Sequence, residues 1–170
     1  MNKTFFQNLS AICVVVLLVF TIYSCDSTTV TPSPEANTIS GTVTFTDTNF
    51  ITSGGVYDIG AFPNPSIPPT FWFGPPTAYD TLIITNNNGV YKANYTLTGV
   101  PDGNYVIAVG FRKDTGGQSP IMGVYGCDTA RAIYDTTACF LNPQRVTISN
   151  NAGVTGVNFL SWADTTNKVY

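Results

Sequence analysis

Apolar and polar residues alternate one by one in several short segments after residue 38, and this period limits the fold more than any other feature of the chain. In residues 39–45 the odd-numbered positions are apolar or Gly and the even-numbered positions are Ser or Thr. Successive side chains of a strand point to opposite faces of a sheet, so the pattern predicts a strand with one buried face and one Thr-rich face. The same alternation recurs at 90–97, 105–111, 146–148 and 157–159.

Weaker strand signals lie at 55–62, 79–85 and 121–125, and turn-forming residues separate the segments. The turns are rich in Asn, Asp and Gly, as at 86–89 and 150–153, and these residue types form tight turns readily. Short strands at this spacing favour two packed sheets over a helical or α/β fold. We therefore predict an all-β chain that folds as an antiparallel β-sandwich of seven or eight strands.

The N-terminal region has a different character. Lys3 precedes an apolar run over residues 9–23, which ends at Ser24-Cys25-Asp26. A membrane-spanning helix needs about 20 apolar residues, whereas a signal h-region needs only roughly 7–15. The segment resembles a bacterial lipoprotein signal peptide, in which residues 1–24 are removed and Cys25 carries the lipid. An uncleaved signal anchor and a conventional secretory signal are the alternatives, although no A-x-A-like site precedes Cys25.

The lipoprotein resemblance implies a place in the cell and a domain plan. Two or three acyl chains on Cys25 would anchor the chain stably to a membrane. The expected location is the bacterial cell envelope, with the outer membrane or cell surface favoured over the inner membrane. Residues 25–37 are then a lipidated cysteine and a Pro-containing tether that spans on the order of 35–40 Å. Residues 38–170 form the β-sandwich domain.

Charge and composition exclude several functions. The chain carries a net charge of −3, which argues against a nucleic-acid partner because phosphates need a basic surface. It contains no histidine, so neither a Ser-His-Asp nor a Cys-His nucleophile is available. The aspartates are scattered, mostly at turns. We predict no catalytic residues, no enzymatic activity, no cofactor and no metal site, with calcium binding by loop carboxylates as an alternative.

Two cysteines, Cys127 and Cys139, remain after Cys25 and the signal region are set aside. In an exported chain the expected state of such a pair is a disulfide. A loop of this length would contribute roughly 3 kcal/mol of stability. The alternative is two free buried thiols. A zinc site is disfavoured because the chain offers no histidine ligand.

A central motif resembles a known family. Residues 97–105 read Leu-Thr-Gly-Val-Pro-Asp-Gly-Asn-Tyr. Together with the first strand at 39–45 and the final segment at 146–159, they resemble carboxypeptidase-regulatory-like, transthyretin-like domains. The resemblance implies an Ig-like or transthyretin-like sandwich that serves as a scaffold, spacer or binding module and has no active site. Tyr105 is expected either to form a tyrosine corner, with its hydroxyl bonded to nearby backbone, or simply to pack in the core.

One segment departs from a plain sandwich. Residues 61–78 hold six of the eleven prolines and four aromatic residues, Phe62, Phe71, Trp72 and Phe73. Rigid aromatic loops make good binding surfaces, so Phe71, Trp72 and Phe73 are candidate binding residues. The alternative is that these rings cap an open end of the sandwich. Residues 126–140 form a second candidate loop, either a recognition loop or a merely stapled insertion.

We therefore expect a membrane-anchored, non-enzymatic envelope protein that acts as a binding, assembly or scaffold module. Its partner would be an envelope protein or a glycan. A carbohydrate-binding lipoprotein that uses the aromatic loop 61–78 is the first alternative, and a purely structural spacer is the second. The sequence does not predict the oligomeric state.

Overall fold

A computed structural model describes residues 33–66, 70, 72, 74–127 and 143–167, and these residues form strands with no α-helix. The strands are β1 Ile39–Phe45, β2 Gly55–Pro63, β3 Ala78–Thr81, β4 Thr85–Asn87, β5 Val90–Leu97, β6 Gly103–Lys113, β7 Ile121–Val124, β8 Val146–Ile148 and β9 Phe159–Ser161. One 3-10 turn follows at Thr165–Asn167. No helix in this part of the chain is long and apolar enough to span a membrane.

The strands form two sheets. The four-stranded sheet has the order β4-β5-β1-β9, and the five-stranded sheet has the order β3-β2-β6-β7 with β8 also paired to β6. The prediction of an all-β sandwich is confirmed, with nine strands among the described residues instead of seven or eight. The additional strand, β4, is three polar residues long, and its Thr-Asn-Asn sequence is also typical of a turn, which is why periodicity did not reveal it.

The main core lies between the two sheets, at the positions that the alternation marks. Strand β5 shows the pattern most clearly, because Ala93, Tyr95 and Leu97 are buried while the residues between them are exposed. Each large side chain buried in this way stabilises the fold by roughly 1.5–3 kcal/mol. The fully or nearly fully buried members of this core include Ile39, Val43, Ile59, Leu97, Val100, Ile107, Val109, Met122 and Ile148.

One pairing differs from the antiparallel prediction. Strand β9 runs parallel to β1, with Val43 opposite Phe159. The chain reaches this position after leaving the five-stranded sheet at β8, and Val154 already pairs with Ile39 in a parallel bridge. The predicted strand at 157–159 starts only at Phe159, because the Asn158 side-chain oxygen, instead of a backbone carbonyl, accepts the N–H of Thr42 at 2.8 Å.

The central motif connects the β5–β6 turn to the turn that follows β8. Gly99 has φ +67°, a conformation that glycine adopts without steric cost. The Tyr105 hydroxyl donates to the carbonyl of Pro101 at 2.9 Å, and the Tyr105 ring is buried. The tyrosine-corner expectation is thus met together with core packing. The Asp102 carboxylate accepts the backbone N–H groups of Asn150 and Asn151, which ties the β5–β6 turn to the turn after β8.

The hydrogen-bonded domain begins a few residues earlier than the predicted boundary at 38. Thr38 donates its hydroxyl to the carbonyl of Glu35 at 2.6 Å. The N–H of Asn37 donates to Asn151 O, and its carbonyl accepts the N–H of Val100. The last residues of the predicted tether are therefore part of the folded domain, while residues 1–32, including Cys25, lie outside the described residues.

Candidate functional site

The outer face of the five-stranded sheet carries a second, smaller apolar cluster. Strand β6 directs Tyr105, Ile107 and Val109 into the main core, and it directs Val106 and Ala108 to the opposite face. Val106 and Ala108 are nevertheless almost fully buried. Both faces of β6 are therefore covered. The outer cluster is made of Trp72, Val106, Ala108, Ile121 and Val124, with Phe62 and Cys127 packed against it.

Trp72 covers this outer face. Its side chain is only 3% exposed, and its ring centroid lies 4.9 Å from that of Phe62. This burial favours the capping interpretation for Trp72, although the surface that it caps is the outer face of a sheet and not an open end of the sandwich. Phe71 and Phe73 lie outside the described residues, so their proposed binding role stays a prediction.

The start of the aromatic segment is fixed to the sheet by polar contacts. Asn64 donates its backbone N–H to Asn104 O at 2.8 Å, and its side-chain amide donates to Thr70 O at 2.7 Å. The Arg145 guanidinium donates to the carbonyls of Asn64 and Ser66 at 2.9 and 2.8 Å. The prolines of this stretch have no backbone N–H to donate. The side chains of Asn64 and Arg145 therefore supply donors to its carbonyls. They hold the segment above the outer face of the sheet.

An open groove of about 740 Å³ lies next to Trp72 on the same face. Its floor consists of Gly60, Ala108 and Gly110, which have little or no side chain. In the strand register Gly60 lies opposite Ala108 on one side and opposite Tyr79 on the other. We call this cavity the outer groove. Its described lining residues are Asp58, Ile59, Gly60, Phe62, Trp72, Gly74, Pro76, Tyr79, Ala108, Gly110, Arg112, Gly117, Gln118, Ser119 and Ile121.

The two glycines of the floor differ in what covers them. A Cβ atom at Gly60 would lie 2.9 Å from the Pro76 side chain and 3.0 Å from the Phe62 ring, so a larger residue would displace the cap. A Cβ atom at Gly110 would meet only ordinary contacts, the nearest being Pro120 O at 3.4 Å. The groove at Gly110 is thus open because the side chain is missing, and a side chain there could fill it.

A charged pair lies along the outer groove. The Arg112 Nε donates to Asp58 Oδ2 at 2.5 Å, and the Thr81 hydroxyl donates to Asp58 Oδ1 at 2.9 Å. Asp58 lies opposite Gly110 in the register, so Arg112 reaches it diagonally across the strands. The hydrogen bond and the negative charge of Asp58 raise the pKa of Arg112. The pair supplies the guanidinium N–H donors of Arg112 and the carboxylate acceptor of Asp58 to the groove. The pair carries no net charge.

Tyr79 presents the exposed aromatic surface of the outer groove. Its side chain is 65% exposed, in contrast to the buried Trp72. Tyr79 pairs with Gly60 of β2, so the residue directly opposite it carries no side chain. The sequence predicts a weak strand over 79–85 but does not mark Tyr79 as a site residue. The pairing of Tyr79 with Gly60 would have indicated the site, but this pairing follows only from the strand register.

A second groove, of about 570 Å³, lies on the outer face of the four-stranded sheet. It is lined by Thr42, Thr44, Lys92, Asn158, Phe159 and Leu160, and it borders Gly126 and Cys127. The next residues, 128–142, lie outside the described residues and include Cys139 and most of the second candidate loop. The Cys127–Cys139 pairing therefore stays a prediction.

Most aspartates of the described part serve the loops around them. Asp47 accepts the N–H groups of Asn49 and Ala163, and Asp164 accepts both the N–H and the hydroxyl of Thr166. The hydrogen bonds from Thr166 lower the pKa of Asp164. In the described part of the chain no three His, Cys, Asp or Glu side chains come together as a metal site. No family model matches the chain, and no curated protein or solved structure is similar to it at a significant level.

Proposed function

We propose that this protein is a lipid-anchored, non-enzymatic binding module of the bacterial cell envelope, and that its ligand occupies the outer groove. The observation that carries the binding role is the groove itself. Its volume of about 740 Å³ falls within the roughly 300–1,000 Å³ that is usual for ligand sites. The apolar cap around Trp72 covers the adjacent part of the sheet, and the outer groove opens beside that cap.

The anchor and the domain have separate roles in this proposal. Cys25 carries the lipid and residues 26–34 serve as the spacer, because hydrogen bonding to the domain begins at Glu35.

The transthyretin-like resemblance and the disulfide belong to the same proposal. Cys127 follows β7 and packs against the outer cluster. A bond to Cys139 would tie the segment after β7 to the same face of the sheet that bears the outer groove. An intact mass that rises by the mass of two hydrogens on reduction and unfolding would support this pairing, and an unchanged mass would contradict it.

Anchoring is tested by signal-peptide processing. Cells that express the full chain are treated with globomycin, which blocks lipoprotein signal peptidase. We expect the unprocessed form to accumulate in the treated cells. The Cys25→Ala variant should be absent from the lipid-labelled fraction. A chain that is processed normally in globomycin, or that remains unlabelled by radioactive palmitate, would refute the lipid anchor.

Binding is tested with a photo-crosslinking amino acid in the anchored protein. The probe replaces Gln118, an exposed residue that lines the outer groove, or Thr96, an exposed residue on the four-stranded sheet as the matched control. We expect irradiated cells to yield adducts from position 118 and few from position 96. Equal yields at both positions, or none at either, would contradict a binding role for the outer groove and favour a structural spacer.

A further inference from the structure

We infer that the ligand of the outer groove is an uncharged glycan, with one sugar ring placed against Tyr79. This inference rests on the proposed binding function and names its ligand class. The outer groove combines an exposed aromatic ring, a floor of small residues and a charged pair with no net charge. Each of the three suits a sugar ligand.

The shape of the outer groove favours a small polar ligand over a protein surface. Stable protein interfaces bury about 800 Å² on each partner and are centred on well-packed anchors. Here the open space is bounded by Gly74 and Pro76 from one connection and by Gly117, Gln118 and Ser119 from another. Both connections line the groove, whose volume of about 740 Å³ is sufficient for a ligand of one or two sugar units.

The charge distribution favours an uncharged ligand. Asp58 and Arg112 are the only charged residues among the described residues that line the outer groove, and they neutralise each other. An acidic glycan would meet the Asp58 carboxylate and a guanidinium that is already engaged. A neutral sugar can use the pair as it stands, because its hydroxyls can accept from the remaining Arg112 N–H groups and donate to the carboxylate.

Tyr79 supplies the apolar contact that such a sugar needs. A pyranose ring has a face of C–H groups, and an exposed aromatic ring buries that face at little conformational cost because it has only two side-chain torsions. The Tyr79 ring is 65% exposed and lines the outer groove, whose floor has no side chain at Gly110. Gln118 and Ser119 line the groove as additional hydrogen-bonding groups.

The inference is tested with the full chain in detergent on an array of neutral and acidic oligosaccharides, followed by calorimetric titration of the best neutral binder. We expect neutral glycans to be retained. Tyr79→Ala should weaken binding about tenfold or more, whereas Tyr79→Phe, which keeps the ring, should bind within about threefold of the parent. Arg112→Gln should also weaken binding, and Ile83→Ala, a matched exposed apolar residue outside the groove, should leave it unchanged.

The inference would be overturned by an array on which no neutral glycan binds, by a preference for acidic glycans, or by equal affinity of the Tyr79→Ala and parent proteins. Binding of a proline-rich peptide at the same residues would also overturn it. The failure of the ligand class remains distinct from the failure of the proposed function. Adducts from position 118 without glycan binding would refute only the glycan, whereas the absence of selective adducts at 118 would refute the binding role.

Discussion

At the residue scale, the two aromatic side chains nearest the outer groove have opposite roles. Trp72 belongs to the Pro-rich segment that the sequence marks as a binding surface, but its side chain is buried against β6. Tyr79 belongs to an unremarkable edge strand, but its ring is exposed in the groove. Composition identifies aromatic residues in the right region. It cannot identify which ring is buried, because that depends on how the segment crosses the sheet.

This difference gives a stability prediction. Trp72→Ala removes the largest side chain of the outer cluster and should lower the free energy of unfolding by about 3–5 kcal/mol. Tyr79→Ala, the matched control, should change it by no more than about 0.5 kcal/mol because that ring is mainly exposed. Urea denaturation followed by tyrosine and tryptophan fluorescence or circular dichroism measures both. A Trp72→Ala protein as stable as its parent would show that Trp72 does not act as a cap.

At the element scale, the β5–β6 turn holds the turn after β8 through one carboxylate. Asp102 accepts the N–H groups of Asn150 and Asn151 at 2.9 and 2.8 Å. Both asparagines have positive φ, a conformation that these external bonds help to maintain. The contact connects the central motif to the segment that leads into β9.

Removal of that carboxylate should loosen the turn after β8. We expect Asp102→Ala to lower the free energy of unfolding by about 1–2 kcal/mol, at the low end for charged hydrogen bonds because the site is exposed. Amide hydrogen exchange at Asn150 and Asn151 should become faster. Asp114→Ala, at an exposed aspartate after β6, is the control and should have little effect. Equal stability of the Asp102→Ala and Asp114→Ala proteins would contradict this role of the Asp102 carboxylate.

A strand could be predicted from the sequence where one of its faces is buried and the other is exposed to solvent. Strand β5 satisfies that condition, and its buried positions match the alternation residue by residue. Strand β6 is predicted correctly in position, but its second face is also buried, because a distant segment folds over it. The parallel pairing of β9 was not predictable from local pattern, since the Asn158 side chain breaks the regular ladder.

The candidate site is predictable to a smaller extent than the fold. The aromatic segment 61–78 was identified, and it forms one side of the outer groove through Phe62, Trp72 and Pro76. The floor requires the register that places Gly60 beside Ala108 and Tyr79. The Asp58–Arg112 pair is formed by residues on two strands that are far apart in sequence. No local motif marks such a cross-strand pair.

At the scale of the whole molecule, buried tyrosines should set the alkaline limit of stability. Burial raises the pKa of Tyr57, Tyr95 and Tyr105 above the ordinary value of 10.0. In the unfolded chain these hydroxyls lose their protons near pH 10, whereas the folded chain retains them. The folded state therefore binds more protons above that pH, and the free energy of unfolding falls as pH rises.

The measurement is urea denaturation at a series of pH values between about 8 and 11. We expect a constant free energy of unfolding below the ordinary tyrosine pKa and a decline above it. Tyr95→Phe should be less stable at neutral pH by about 1 kcal/mol, because the bond from its hydroxyl to Val157 O is lost. Its alkaline decline should be shallower than that of the parent. Parallel declines in the two proteins would contradict the role of Tyr95.

Amide chemical-shift mapping would show directly whether the outer groove of the five-stranded sheet is the ligand site. The isotope-labelled protein is titrated with the neutral oligosaccharide that binds best on the array. We expect the largest shifts at four residues that line the outer groove, Gly60, Tyr79, Gly110 and Gln118. Shifts confined to the four-stranded sheet around Thr42 and Thr44, or no shifts at saturating ligand, would contradict it.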